Sequence, residues 1–492
     1  MAAHGLPGTD LGQLRKQAKD WLRRGRAGDP EALALLRRLH PRGVELAADP
    51  SRLQLADAQL TLARAYDFPS WPKLREHFQR VEPWRRNPHQ LREQADPADE
   101  LLRLACLTYG SDARVRPARA AAVLDRDPGI AGANIFTAAA TGSVSDLRRF
   151  LARDPAVATR DGGPHQWPPL LYLCFSRIPD ALPGRSSLDC ARMLLQAGAD
   201  PDAGFLWEGL APPFTALTGA FGGGEDRANQ RPHQHAAALA RLLLGSGADS
   251  NDGQTLYNRM FEASDEHFEL LFAFGLGRGA GGPWRVRLGE AQQSPTEMLA
   301  DQLIWAVAHG RTERVALLLA NGVDPNVAGS GHPTHESRTA YEWAVYTGSR
   351  QIAALLAAAG ARPPQVPIDA VDQFLAAALS EDAQQVRQAD PAMRTAAIER
   401  RPGAVEQAVG LRRAGAVRLL VEAGFSVDGA RPVTPLHLAA YNGDLDLVRL
   451  LLSLGADPQR EDPTYRSTPL DWAEHVGAQE VADYLRSINE DR

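Results

Sequence analysis

Cysteine is scarce: Cys106, Cys174 and Cys190 are three among 492 residues. All sit among apolar helix-forming residues, so buried free thiols are expected and a disulfide framework is excluded. No Cys or His spacing matches a zinc ligand set. Long apolar runs are missing too. No stretch reaches the roughly 20 residues that span a bilayer. The opening residues, MAAHGLPGTDLGQLRKQAKD, carry no apolar signal core. No transmembrane segment is expected, and the cytoplasm is the expected location.

Strong charge of one sign is also absent. The net charge is −6, although residues 1–90 hold 16 Lys and Arg against 10 Asp and Glu, which leaves about −12 for the rest. That balance argues against a globally basic nucleic-acid binder. It leaves a basic end suited to an acidic partner or to the rest of the chain. Catalytic patterns are missing as well. There is no G-x-S-x-G elbow, no Cys–His nucleophile pair and no carboxylate pair fixed for glycoside chemistry. The stretch GGGEDRANQ at 222–230 lacks the Lys and hydroxyl of a phosphate loop, and no strand precedes it. No catalytic residue, cofactor or metal ligand is expected.

Glycine and proline, by contrast, are plentiful at 43 and 35, as a chain of many short helices and turns requires. Residues 432–463 read PVTPLHLAAYNGDLDLVRLLLSLGADPQREDP. Thr434 is placed to cap a helix with Pro435 at its first position. Asn442-Gly443 breaks that helix. Asp444 is placed to cap a second, whose apolar side uses Leu447, Val448, Leu451 and Leu452. Gly455 supplies a left-handed stop and Asp457-Pro458 the exit. The pattern returns 34 residues later, with Thr468, Pro469, Leu470 and Gly477 in the places of Thr434, Pro435, Leu436 and Gly443. TPLHLAA followed by NGDLDLVRLLLSLGADP closely resembles an ankyrin repeat. One such pair cannot bury its own apolar face and must stack on neighbours. The resemblance implies an all-α curved solenoid of stacked helix-turn-helix repeats, several of them degenerate and carrying inserted loops.

About ten or eleven helix pairs are expected. Four regions follow: a basic helical N-terminal cap at 1–95, degenerate repeats with insertions at 96–295, repeats at 296–365, and repeats ending in a capping unit at 366–492. Within the N-terminal cap, DAQLTLARAYDFPSWPKL looks like a segment that precedes ankyrin repeats in bacterial proteins. The resemblance is strong for 302–360 and 404–488, moderate for 130–280 and weak before residue 100. Within the degenerate region, Arg177–Ser187 and Phe221–Pro232 are insertions, and such insertions map to one surface of a solenoid, often the binding surface. The 222–232 segment reads either as a flexible solvent loop or as a protein-binding loop. PWRVRLG at 283–289 places Trp284, Arg285 and Arg287 together, as an exposed aromatic-basic patch or, more in keeping with a loop tryptophan, packed back on the fold.

Histidines raise a metal question at His233 and His235, and at His332 and His335 with Glu336. Neither pair lies on a shared helical face with a third ligand, so surface loop histidines are expected. His437 in TPLHLAA resembles the family's motif histidine, which implies a hydrogen bond near Thr434 and to an adjacent loop. His309, just before Gly310, is suited to satisfying helix-end carbonyls.

The expected function is that of a non-catalytic binding scaffold for a protein partner, using a concave face and the inserted loops. Trp207, Phe221, Arg227, Asn229, Trp284 and Arg285 are the candidate contacts, because aromatic and Arg residues supply most interface hot spots. Two alternatives stand beside it. One is a small-molecule-binding protein or enzyme whose pocket the insertions at 177–289 close. The other is an N-terminal arm that folds over a partner surface.

Overall fold

The computed structural model describes residues 11–110, 112–180, 184–329, 338–363 and 368–490. The chain divides into two compact units, Met1–Met298 and Leu299–Arg492. Both are built chiefly of short helices paired by tight turns, as the repeat pattern implies.

Unit 1 begins with α1 (Leu11–Arg26), α2 (Pro30–Leu39), α3 (Gly43–Ala48), α4 (Leu55–Ala65) and α5 (Trp71–Val81). Apolar residues three and four apart bury one face of each longer helix. In α1 that face is Leu14, Ala18, Trp21 and Gly25, and in α5 it is Leu74, Phe78 and Val81. Asp29 caps α2, its side chain accepting from Ala32 N–H.

Five helix pairs follow: α6 (Pro97–Ala105) with α7 (Val115–Arg126), α8 (Ile135–Ala140) with α9 (Val144–Arg153), α10 (Pro169–Phe175) with α11 (Ser187–Gln196), α12 (Ala216–Phe221) with α13 (Ala236–Gly245), and α14 (Gly253–Met260) with α15 (Glu266–Ala273). The first helices of successive pairs stack, α8 on α10, α10 on α12 and α12 on α14. All seven residues of α10 are buried, which is why a helix so short persists: packing, not propensity, holds it. Then come α16 (Gly282–Leu288) and α17 (Pro295–Ala308), and the boundary between the units falls inside α17.

Unit 1 also contains a small sheet that the all-helical expectation lacks: β1 (Arg85–Arg86), β2 (Gly204–Trp207) and β3 (Leu210–Thr215). β1 runs parallel to β2, and β2 and β3 form an antiparallel hairpin with Phe205 opposite Phe214. The hairpin turns on Glu208-Gly209, both at positive φ, 52° and 83°. Two residues with φ > 0 are what a tight twisted hairpin needs, normally Asn-Gly or Asp-Gly.

Unit 2 continues with α18 (Thr312–Ala320), α19 (Ala340–Tyr346), α20 (Arg350–Ala358), α21 (Ala370–Leu379), α22 (Ala383–Gln388), α23 (Pro391–Arg400), α24 (Ala404–Gly410), α25 (Ala414–Glu422), α26 (Pro435–Tyr441), α27 (Leu445–Ser453), α28 (Pro469–Val476) and α29 (Gln479–Glu490). Thr434 and Thr468 cap α26 and α28, and Asp444 caps α27. Gly443 and Gly455 take the left-handed backbone at φ 64° and 97°. Gly348 sits in the same kind of turn, where an added Cβ would lie 2.3 Å from Ala376 O. The pair starting at α21 lacks that glycine, and Glu381 occupies the left-handed position at φ 63°. The helix α23 stands between the α21–α22 pair and the α24–α25 pair. Asp390 caps it and Pro391 starts it, a signal of the same type as at Thr434-Pro435.

One side-chain contact recurs between consecutive pairs. Asp202 Oδ1 accepts from Asp249 N–H at 2.8 Å, Asn251 Oδ1 from Gly277 N–H at 2.8 Å, Asn326 Oδ1 from Arg362 N–H at 2.8 Å, and Asp428 Oδ1 from Asp457 N–H at 3.1 Å. Each Asp or Asn thus ties one exit hairpin to the next. This is nearest-neighbour coupling in its simplest form, and it is how a stack without a single core gains cooperativity.

Candidate functional site

Two of the six residues marked for partner contact are buried. Phe221 closes α12 at 6% exposure, and Trp284 is 5% exposed in α16. Trp284 Nε1 donates to Asp202 O at 2.9 Å, and its ring stands edge-on to Trp84 at 5.1 Å. The Arg287 guanidinium lies 4.9 Å from the Trp84 ring and 4.8 Å from the Trp284 ring, and bonds Asp200 at 3.1 Å. PWRVRLG therefore forms a helix that packs back on the fold. Its aromatic-basic group is a cation–π clamp that joins Trp84 to α16, not an exposed patch. Arg285 is half-buried and donates to Gln292 O.

Trp207 is half-buried at the end of β2. Its Nε1 donates to Thr108 O at 2.9 Å, and its ring stacks on His89 at 4.4 Å. Glu208 pairs with His89 at 3.2 Å and accepts from Gln90 Nε2 at 3.2 Å. Arg227 and Asn229 are half-buried in the 222–232 segment, where Asn229 Nδ2 donates to Asp226 Oδ2 at 2.8 Å.

That segment is anchored by Arg177. Its Nε donates to Arg231 O at 2.7 Å, Nη1 to Cys174 O at 3.0 Å and Ser176 O at 2.8 Å, and Nη2 to Gly219 O at 2.8 Å. Burial pushes the guanidinium pKa down from its usual value. Gly222, Gly223 and Gly224 are buried, and an added Cβ at Gly222 would lie 2.5 Å from Arg231 O. The glycine triplet is thus a packing device.

His233 is buried at 3% exposure rather than a surface loop histidine as expected, and the histidines have structural partners. His233 Nδ1 accepts from His235 N–H at 3.1 Å, and His235 Nε2 lies 3.2 Å from Asp180. His437 Nδ1 lies 2.8 Å from Thr434 Oγ1, and its Nε2 lies 3.0 Å from Ser467 O, the two contacts the motif implies. His309 Nδ1 lies 2.8 Å from Trp305 O. His332, His335 and Glu336 fall outside the described residues. Among the described residues, no group of three or more His, Cys, Asp or Glu is placed to hold a metal ion. The three cysteines are buried free thiols, and burial pushes Cys106 and Cys190 up to about 12.

Two carboxylates are strongly perturbed. Burial pushes Asp252 and Asp202 up to about 6. Such groups cluster at functional sites, but these two serve the fold. Asp252 caps α14 through Thr255 N–H at 2.8 Å and accepts from Thr215 Oγ1 and Thr218 Oγ1. Asp202 ties two hairpins, as above.

Unit 2 offers accessible features that the residue patterns do not mark. The first is the hairpin before α28. The Asp462 side chain is buried and accepts from Thr464 N–H at 2.9 Å, Tyr465 N–H at 2.7 Å, Ser467 N–H at 3.2 Å and Trp472 Nε1 at 3.1 Å. Burial raises the carboxyl pKa, but these bonds together outweigh it and hold the group below its ordinary value. The loop so fixed presents Tyr465 at 74% exposure and Arg466 with 80% of its side chain exposed, paired to Glu461 at 2.8 Å. Asp462→Ala removes the charged acceptor of all four donors. It is expected to lower unit 2 stability by about 3 kcal/mol in urea unfolding.

The second feature is an open groove of about 520 Å³ between α21, α22 and α23. Phe374, Ala389 and Met393 line it on the apolar side, and Gln384, Gln388 and Asp390 on the polar side. Here a helix, α23, is set between two pairs, whereas the α25–α26 and α27–α28 connections are non-helical. The sequence hint is the missing turn glycine at residue 381.

The family described as ankyrin repeats (3 copies) matches residues 405–491. This span runs from α24 to α29 and includes the Asp462 hairpin. No curated protein matches the chain.

Proposed function

We propose that the chain is a non-catalytic scaffold, ankyrin-like through both units, that binds another protein along the hairpin edge of its repeats and its inserted segments. The observation that carries this reading is the Asp462 loop. Tyr and Arg are the residue types that dominate interface energetics. Here they stand exposed on a backbone already fixed by four hydrogen bonds, so little ordering cost remains for binding. The half-buried Trp207, Arg227, Asn229 and Arg285 are candidate contacts in unit 1. Phe221 and Trp284 are buried and drop out of that set.

The test is site-specific crosslinking in cell extract. A photoreactive residue at Tyr465 is expected to capture a protein, whereas one at the exposed Arg418 on α25 is not. Capture at 418 with none at 465 would place the contact on the opposite helices and sink the reading.

A further inference from the structure

The groove in unit 2 arises because one helix pair breaks the rhythm of its neighbours. α22 has six residues where α20 and α25 have nine. α23 then occupies the place of a hairpin, leaving a cleft between three helices. Its volume of about 520 Å³ falls in the range of ligand sites, roughly 300–1,000 Å³.

Gln384 and Gln388 stand four residues apart on α22, so their amides rise from one helix face about 6 Å apart along the axis. Both are exposed and line the groove, and neither has a hydrogen-bond partner among the described residues. In an extended chain, peptide groups that face the same way recur every two residues, about 6.7 Å. A primary amide offers both a donor and an acceptor, the complement of a peptide N–H and C=O. Two glutamines at this spacing therefore match two alternate peptide groups of an extended segment.

The ends of α22 add charge. Asp382 precedes it and Asp390 follows it, and both line the groove. Asp382 caps α22 and is paired with Arg350 at 3.3 Å. Asp390 spends one oxygen on Met393 N–H at 2.7 Å, leaving the other for a ligand. Nearby cations are engaged elsewhere: Arg387 pairs with Glu422 at 3.3 Å and Arg394 donates to Arg387 O at 3.0 Å. Beside these groups, Phe374, Ala389 and Met393 give an aliphatic stem something to lie on.

We propose that this groove binds an extended peptide segment, with Gln384 and Gln388 pairing to alternate backbone amides and an Arg or Lys side chain of the peptide reaching Asp390. The site is separate from the hairpin edge around Tyr465, so either can fail without the other.

The test uses the full chain coupled through its amines. Its three lysines, Lys16, Lys19 and Lys73, all lie in unit 1. The probe is a positional-scanning library of nonapeptides, each pool with one fixed residue. Pools with Arg or Lys at one position are expected to be retained over the matching Glu pools. Gln384→Ala with Gln388→Ala is expected to weaken a retained peptide at least tenfold at an unchanged melting temperature. Asp390→Asn, which still caps α23, should erase the preference for Arg over Glu. N-methylation of alternate peptide amides should cost tenfold in one register and under twofold in the other. Retention equal for wild type and the double glutamine variant overturns the proposal. So does a preference for Glu, or the absence of any retained pool.

Discussion

Deleting residues 1–90 is expected to abolish the cooperative unfolding transition of unit 1, not to free a partner surface. Residues 81–90 are joined to the rest of unit 1 by groups that have no substitute. β1 is a strand of the sheet, paired with Leu206 and Trp207 of β2. Val81, at 2% exposure, packs with Leu206, Trp284 and Leu288. Trp84 forms one side of the Arg287 clamp and His89 covers the face of Trp207. Arg86 donates to Gln166 O at 3.1 Å and pairs with Asp161 at 3.1 Å.

The ion pair is partly exposed and contributes little, so the loss lies in the aromatic and aliphatic contacts. Trp84→Ala alone is expected to cost about 2–3 kcal/mol, from lost packing and a cation–π contact. The full deletion removes several such contacts and a strand. Its cost is comparable to the roughly 5–15 kcal/mol that holds a domain folded. Near-UV circular dichroism and tryptophan fluorescence during urea unfolding report it directly. A fragment 91–492 with wild-type unfolding of unit 1 would show that the N-terminal cap is a dispensable arm.

This attachment also marks where sequence reasoning reaches its limit. Thr434, Gly443, Asp444 and Gly455 are legible because caps and left-handed turns depend on residues within four positions of each other. The Trp84–Arg287–Trp284 clamp joins positions 200 residues apart, and no local spacing encodes it. The hairpin at 204–215 lies between these cases. Its strands are short, and Glu208-Gly209 stands where Asn-Gly would have announced the turn. Glu208 tolerates its left-handed backbone where His89 and Gln90 hold its carboxylate, again a non-local cause. The same logic hides the groove. The residues of α22 and α23 read as ordinary helix formers, and only the truncated length of α22 leaves a cleft. Arg177 is the converse. It opens an expected insertion, yet four carbonyls from three segments converge on it.

Acidification is expected to act on unit 1 through two opposed sets of buried groups. His165 and His233 are each 3% exposed, and burial lowers both to about 3. Above pH 6.5 they are neutral whether the chain is folded or not, and their contribution is fully present. As pH falls from 6.5 toward 3, the unfolded chain takes the protons first, and each histidine costs about 1.4 kcal/mol per pH unit. Asp202 and Asp252 run the other way. Burial raises both from 3.8 to about 6, so their contribution is fully present below 3.8 and is lost as pH rises through 6. Between pH 6 and 4 two groups of each kind oppose one another, and their effects nearly cancel. Single substitutions unmask each term. The stability of Asp252→Asn relative to wild type should rise by about 3 kcal/mol between pH 3.8 and pH 7. That of His233→Asn, which keeps an acceptor for His235 N–H, should change oppositely, gaining about 3 kcal/mol on wild type between pH 6.5 and 4.5. The differences are the quantity to measure, because exposed carboxylates elsewhere titrate equally in variant and parent. Urea unfolding at half-unit pH steps decides the matter. A pH-independent difference for Asp252→Asn would mean that its carboxylate is already ionised well below pH 6, with the hydroxyls of Thr215 and Thr218 offsetting its burial.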